Sequence, residues 1–548
     1  PTLMDKAMCR NVNIPPMTVK GTAKFGGDNY SGNLAMRLAT GQMVGKGSFS
    51  GRSNAYGVDV TFSHFPVKAI LPLAGVGDLT AHVKASGRGF DFSSPHTAVS
   101  GNVDLASVRY VNDTYKNIKA NVSLSGGNFN AVLSSANAGC DLAVNCNGAL
   151  GKEHYAFNAD GQINDLDLQR LKLYDGVCRG RVGFVASGDF NLKTQKCDAA
   201  VNLTGLKWEL DSDMLVTDKL EGTFASTDST VTLDFNNEQT QLAFNSTFGP
   251  KKLMLCFKNS TDIAMLQYKK RSLNIDTLQD ALPPFTLKLN VGPDGLVPRY
   301  LEKYDIDFRS INCDIRNDSN IFIDGKVNAF SYGETAIDTI TLHASEWNRC
   351  LRFDAHMGNR PGTWDEFASV DVKGGVVRST LNMLVSQRNI HNETGYRVGV
   401  DATLTDSVVK ARFFPKNPII GYRKWSVNDS NYVSLNYKRR EMLADLQLQT
   451  DSSRVSLMSN SLDHTGKSDI LLKIDNLKIE EWLKFFPFAP EVSGSLSANM
   501  GVAYDGKNIW GDGTASLKNF VYERQRVGDI DLSANLSVDP STSSTNLK

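Results

Sequence analysis

The sequence predicts a mostly β fold, an elongated, repetitive antiparallel β-groove with a few short capping helices. Period-two alternation runs through nearly the whole chain, as in Asp531, Leu532, Ser533, Ala534, Asn535, Leu536, Ser537, Val538, Asp539, so each strand has one apolar and one polar face. Gly, Asn and Asp clusters such as Gly126, Gly127, Asn128 punctuate the alternation, and strands with one wet face belong to antiparallel sheets. The same strand pattern also returns far apart in the chain. Gly101, Leu105, Val108, Tyr110, Ile118, Val122, Leu124 and Gly513, Leu517, Phe520, Tyr522, Ile530, Ala534, Leu536 have identical spacing throughout.

A shorter central copy keeps Leu203, Leu206, Trp208 and resumes after an insertion at Leu220 and Phe224, and a weaker one runs Gly325 to Tyr332. Repeats of this kind build an array rather than one globule. Helical patterns interrupt the strands. Over Asn476 to Phe486, Ile479, Trp482, Leu483 and Phe486 share a helical face, with Asn476 as cap and Pro487 as stop. Similar pieces are Asn164 to Leu173, Asp276 to Leu282 and Gly295 to Tyr304. Phe65-Pro66 precedes Gly77-x-Leu79 much as Phe486-Pro487 precedes Gly494-x-Leu496, which makes helix and strands one module. These helices read as covers for sheet ends, their Trp and Phe as core, with a membrane-surface role the lesser alternative. The divisions expected are β segment 1–63, β-groove repeats 64–162 and 163–261, a helical insert 262–304, and repeats 305–475 and 476–548, all one continuous array.

At 548 residues the chain exceeds one compact core. Lys plus Arg and Asp plus Glu both total 59, which offers no basic field for nucleic acid. Basic clusters such as Lys269, Lys270, Arg271 read as solvated strand ends. The eight cysteines include no CxxC pair and read mostly as small buried apolar residues. No apolar run is long enough to span a bilayer and no signal sequence opens the chain. Pro1 at the start and Ser541 to Lys548 after a strand give the look of a segment cut from a longer protein.

No catalytic, metal or cofactor signature emerges. The histidines never fall at ligand spacing, and there is no GxSxG, phosphate loop or dinucleotide fingerprint. Asp165/Asp167, Asp211/Asp213, Asp305/Asp307 and Asp529/Asp531 are what a polar strand face produces, and the calcium β-roll repeat is missing. The chain is therefore expected not to be an enzyme, and to use no cofactor.

The apolar face mixes Leu, Ile and Val with many Ala and Gly, which leaves room beside the sheet. A long sheet with such a face is a greasy trough, and its natural cargo is an acyl chain, because burying methylenes is worth about 0.8 kcal/mol each. If roughly 35 strands stack at about 4.8 Å, the segment reaches about 170 Å. Ile118, Val122, Leu124, Leu532, Ala534 and Leu536 are the residues expected on the lipid-facing side.

The module spanning Ile479 to Leu536, with Gly-x-Leu strands followed by Gly-x-x-x-Leu-x-x-Phe-x-Tyr and then Arg524, Gln525, Arg526, Val527, Gly528, resembles the translocation and assembly module family, TamB and the wider AsmA-like proteins, in its Bacteroidetes forms. The resemblance implies a β-taco-like groove in the periplasm, tethered to the inner membrane by an anchor outside this segment. It further implies a role in outer-membrane biogenesis by carrying glycerophospholipid between the membranes, its partners being phospholipid acyl chains. An alternative within the family is protein secretion with an outer-membrane barrel partner. Two family hallmarks, the amino-terminal membrane helix and the carboxy-terminal domain, are absent here. A rival from another class is an extracellular β-solenoid adhesin, closed to lipid; a carbohydrate-active β-helix enzyme would need clustered carboxylates and aromatics.

Overall fold

The computed structural model describes residues 15–71, 75–211, 213–318, 320–333, 335–359, 367–439, 441–459, 468–483, 490–504, 509–539 and 542–547. The chain divides into two compact units, Pro1–Pro250 and Lys251–Lys548.

The first unit contains β1 (Thr18–Gly26), β2 (Asn29–Leu38), β3 (Gly41–Ser50), β4 (Ala55–Pro66), β5 (Val76–Arg88), β6 (Ala98–Tyr110), β7 (Asp113–Ser125) and β8 (Asn128–Asn137). It continues with β9 (Cys140–Leu150), β10 (His154–Asp167), β11 (Cys178–Asn191), β12 (Lys196–Leu210), β13 (Asp213–Ser226), β14 (Val231–Asn237) and β15 (Thr240–Ser246). These pair in chain order, each antiparallel to the next. Turns after even-numbered strands lie on one rim, which also holds the short helix α1 (Val67–Ile70). Turns after odd-numbered strands form the other rim. Gly126 and Gly127, both at positive φ, make the tight turn from β7 to β8 that the sequence marks.

The second unit opens with α2 (Pro250–Lys270), α3 (Ile275–Ala281), β16 (Phe285–Val291) and α4 (Leu296–Glu302). There follow β17 (Ile306–Asp307), β18 (Ser310–Asn317), β19 (Ile321–Tyr332), β20 (Thr335–Trp347), β21 (Cys350–Gly358), β22 (Ser369–Val377), β23 (Thr380–Arg388), β24 (Thr394–Leu404) and β25 (Val408–Ile420). Two short strands, β26 (Arg423–Lys424) and β27 (Ser426–Val427), precede β28 (Tyr432–Asn436), β29 (Glu441–Gln449), β30 (Arg454–Ser459) and β31 (Ser468–Lys478). After α5 (Ile479–Leu483) come β32 (Val492–Tyr504), β33 (Ile509–Tyr522), β34 (Gln525–Asp539) and β35 (Thr542–Leu547). β16 pairs with β18, and β18 to β25 and β28 to β35 pair in order, with β25 bonded to β28. Every described pairing is antiparallel, so the mostly β, antiparallel fold read from the alternation is the fold of the protein. A β-solenoid stacks parallel rungs, and none is present among the described residues.

The repeats are the same hairpin. Leu105 faces Ile118 and Gly101 faces Val122 in β6–β7, as Leu517 faces Ile530 and Gly513 faces Ala534 in β33–β34. In β12–β13, Leu203 faces Leu220, and the insertion lengthens both strands equally toward the turn: Trp208 pairs with Leu215, whereas its counterpart Tyr110 sits at the turn against Asp113. In each hairpin the ladder lapses just beyond the Leu pair, beside a left-handed residue: Asn117, Gly205 or Asn519. The same device recurs at His64 in β4 and Asn476 in β31. Such residues bend the strand and leave a backbone donor unpaired. A neighbouring strand accepts it: His64 N–H donates to Thr80 Oγ1 (3.1 Å), Asn476 N–H to Ser497 Oγ (3.1 Å) and Asn519 N–H to Asp529 Oδ1 (2.9 Å).

Three expectations are corrected. Asn476 is not a helix cap but a left-handed bulge residue inside β31; the helix is Ile479–Leu483, and Phe486 and Pro487 lie outside the described residues. The module therefore aligns Phe65 with Leu477, both buried, since Phe65 pairs with Leu79 and Leu477 with Leu496. Residues 164–173 form no helix: β10 runs on to Asp167, and a turn closed by Leu173 N–H to Leu168 O (2.8 Å) follows. Arg170 in that turn bonds the Asp113 carboxylate with two nitrogens, at 2.7 and 2.6 Å, which ties it to the β6–β7 turn. The helical insert begins inside α2, which starts at Pro250. Helices expected over 276–282 and 295–304 are α3, capped by the Asn274 side chain, and α4.

Along one rim of the second unit, α3 and the residues before it bind successive strand turns. Leu273 N–H donates to Leu404 O (3.3 Å) and Ile275 N–H to Arg378 O (3.0 Å), while Arg349 reaches Asp280 (2.6 Å) and Gln279 bonds Glu346. The unit's apolar core gathers around Trp425, which is 1% exposed. Tyr396, Ile420, Val427, Leu448 and Leu477 surround it, and Trp482 of α5 meets it edge-on at 5.7 Å.

Candidate functional site

Because the pairing in the first unit is continuous, residues at one register form rows that cross all fifteen strands. One row on the apolar face reads Ala23, Gly32, Gly47, Val58, Ala85, Gly101, Val122, Ala131, Cys146, Ala159, Ala186, Val201, Gly222, Phe235, Leu242. From β1 to β13 nothing larger than Val occurs in it; at β14 and β15 it ends in two large residues. None of the fifteen is buried, and Val122 is 47% exposed. This is an open lane floored by small side chains.

Bulkier rows flank it. Toward the rim of the odd-strand turns stand Tyr30, Phe49, Tyr56, Val99, Leu124, Phe129, Phe157, Phe224, Leu233 and Phe244, with glycines where rings need room. A Cβ on Gly188 would run into the rings of Phe157 and Phe190. The first aromatics of this wall touch in sequence, Phe25 to Tyr30 at 6.0 Å, Tyr30 to Phe49 at 6.3 Å, and Tyr56 stacked on Phe90 at 5.2 Å. On the other side run Leu34, Val60, Val83, Val103, Leu133, Val144, Phe184, Leu203 and Leu220.

Of the residues expected on the lipid side, Val122 is in the lane, Leu124 is buried in the aromatic wall between Val99 and Phe129, and Ile118 is half-buried against Leu105. In the second unit Leu532 and Ala534 are exposed opposite Ala515 and Gly513. The Leu536 backbone pairs with Gly511 and Thr545, while its side chain lies outside the description. The row through Gly513 and Ala534 continues into Met500, Leu472 and Leu457, so the small-residue lane is a feature of the first unit. Around Trp425 the second unit's apolar face is packed shut: its indole N–H donates to Ile420 O (3.2 Å), and Tyr396 hydroxyl donates to Glu481 O (2.7 Å).

The opposite face is polar and ion-paired. Asp59 accepts from His82 (2.9 Å) and meets Lys46 (3.3 Å), bonds that hold its carboxyl below the usual carboxylate range. On the polar face of the first unit lie shallow depressions of about 430 and 390 Å³, the former lined by Lys24, Lys46, Asp59 and Lys84, and the polar face of the second unit has one of about 470 Å³ lined by Lys473, Asn499, Ser516 and Asp531. Charges and hydroxyls that would have to shed water are poor hosts for acyl chains. The paired carboxylates noticed in the sequence serve backbone donors and cations: Asp165 accepts from Gly139 N–H (2.7 Å), and Lys518 lies 3.3 and 3.5 Å from Asp529 and Asp531. Seven cysteines are free thiols, Cys178 buried and the rest half-buried, and Cys9 lies outside the described residues. Among the described residues there is no cluster of metal-ligating side chains, and no helix is long and apolar enough to cross a membrane.

The lane was missed as a row because its members are ordinary small residues until register aligns them. The class of protein defined here is a repetitive antiparallel β array with an open apolar lane on one face. No protein-family model matches the chain, and no curated protein matches it by sequence.

Proposed function

We propose that this chain is part of a bridge-like lipid carrier, with the apolar face of the first unit as the track on which phospholipid acyl chains move. The observation that carries this is the unbroken lane of small, unburied residues from Ala23 to Gly222 between two bulky apolar walls. Twelve strand spacings of about 4.8 Å make such a lane about 58 Å long. Each methylene laid on it leaves water for about 0.8 kcal/mol, at any position along its length, so continuity rather than a closed pocket does the binding. A site for one specific ligand would instead be concave, with a few convergent polar groups. In the setting implied by the resemblance to TamB and AsmA-like proteins, the cargo is glycerophospholipid, the place is the periplasm, and the process is outer-membrane biogenesis. The test is photo-crosslinking in the cell envelope with the probe at Val122 and, on the opposite face, at Asn121. Phospholipid adducts at Val122 alone support the track; a folded protein with no lipid at Val122 would sink it.

A further inference from the structure

The lane leaves the outer side of α2 unexplained. The helix turns Leu253, Phe257, Ser260 and Gln267 inward, where Phe257 meets Phe285 at 5.6 Å, Ser260 Oγ donates to Ala281 O (2.9 Å) and Gln267 Nε2 donates to Thr277 Oγ1 (2.9 Å). On the other side Met254 is 75% exposed and Leu255 67%, with Met265 and Leu266 also exposed and Tyr268, at 80%, flanking them. Met254 with Met265 and Leu255 with Leu266 repeat at a spacing of three helical turns, so they form two columns. Lys251, Lys258 and Lys269 stand between the columns, and among the described residues none pairs with an acid. Lys252, Lys270 and Arg271 add to a strongly basic segment whose one acidic residue is Asp262. Lys270 lies 3.8 Å from Asp406 and Arg271 stacks on Tyr437 at 4.4 Å, which fixes the end of the helix to the sheet rim.

Four large apolar side chains standing in water on a folded unit call for a partner. Interspersed lysines exclude an apolar groove, into which their charges could not follow, but suit a headgroup layer. There the methionines and leucines sink to the acyl boundary while lysine stems rise to anionic phosphates. We propose that α2 is an interfacial helix that docks the second unit flat on an anionic bilayer surface. The contact does not depend on the lane carrying lipid.

Flotation of the full chain with vesicles tests this, comparing phosphatidylcholine alone with phosphatidylcholine containing phosphatidylglycerol. The wild type is expected to float at least about ten-fold better with the anionic vesicles and to be released by high salt. Leu255→Gln/Leu266→Gln and Lys258→Glu/Lys269→Glu are each expected to lose about ten-fold in partitioning, with unfolding curves unchanged because the replaced groups face water. Gly101→Leu, which fills the lane, is expected to float as the wild type does. No flotation on anionic vesicles, or flotation unaffected by both α2 variants, overturns the proposal and leaves a protein as the partner of this face. Loss of flotation in Gly101→Leu alone would assign vesicle binding to the lane and overturn it equally.

Discussion

Filling the lane at one strand tests the track directly. Gly101 is the best position: its φ is not in the left-handed region, and a Cβ there would meet only Val122 O, at 4.0 Å. Gly101→Leu therefore puts a branched side chain on the lane floor without a clash. Stability is expected to stay within about 1 kcal/mol, since glycine in a strand interior is itself unfavourable. An acyl chain lifted off the floor over that position loses contact for about three methylenes, about 2.4 kcal/mol, which lowers local occupancy about fifty-fold. The assay is the yield of phospholipid adducts from a photo-probe at Val122, the cross-strand partner of Gly101. Asn102→Leu, one residue away on the polar face, is the control. Undiminished adducts in a folded Gly101→Leu protein would refute the lane as the track.

Trp425→Ala is expected to cost about 3–5 kcal/mol, measured as a shift in the urea midpoint of the second unit, because the indole fills the centre of its core. Asn476→Ala is expected to cost about 2 kcal/mol, about half from left-handed backbone strain and half from the lost Nδ2 bond to Ser452 O (3.0 Å); Asn476→Gly should recover the strain portion in the same unfolding assay. Hydrogen bonds and cations depress the carboxyls of Asp59, Asp113, Asp529 and Asp531 in the folded state. Their contribution is thus fully present above the ordinary carboxylate range and lost as pH falls from that range through the lowered folded-state values, so urea midpoints should be flat near neutrality and decline below about pH 4. Burial pushes the Cys197 and Cys313 thiols up, and both should react with iodoacetamide more slowly than a free thiol at neutral pH.

Alternation and turn residues sufficed for the strands, because a face wetted at every second residue leaves a local signature. The equal spacing of the two copies was legible, and the structure adds what the spacing could not name, that Leu105 pairs with Ile118 as Leu517 does with Ile530. Four features were not legible. The row from Ala23 to Gly222 exists only across strands, and no single strand announces it. In 164–173 the leucines mimic a helical stripe, but Asp165 accepting Gly139 N–H and the Arg170–Asp113 pair hold the segment as strand and turn through partners distant in sequence. α2 has the reverse problem, for its exposed Met254, Leu255, Met265 and Leu266 spread apolar residues around the helix and blur the inward stripe of Leu253 and Phe257. Asn476, a fair cap by residue type, went to a bulge because its left-handed tolerance suits that position equally well.

The β12–β13 insertion shows how this architecture can change over evolution. Both strands gained length beyond the bulge, at the turn, while the Leu203–Leu220 pair beneath kept the register of its shorter relatives. Sheet width at that rim is thus free to drift hairpin by hairpin, because residues added in equal number to both strands leave every pair below them in register. Natural length variation should concentrate at that margin, and a designer could graft a longer or shorter hairpin tip there without disturbing its neighbours.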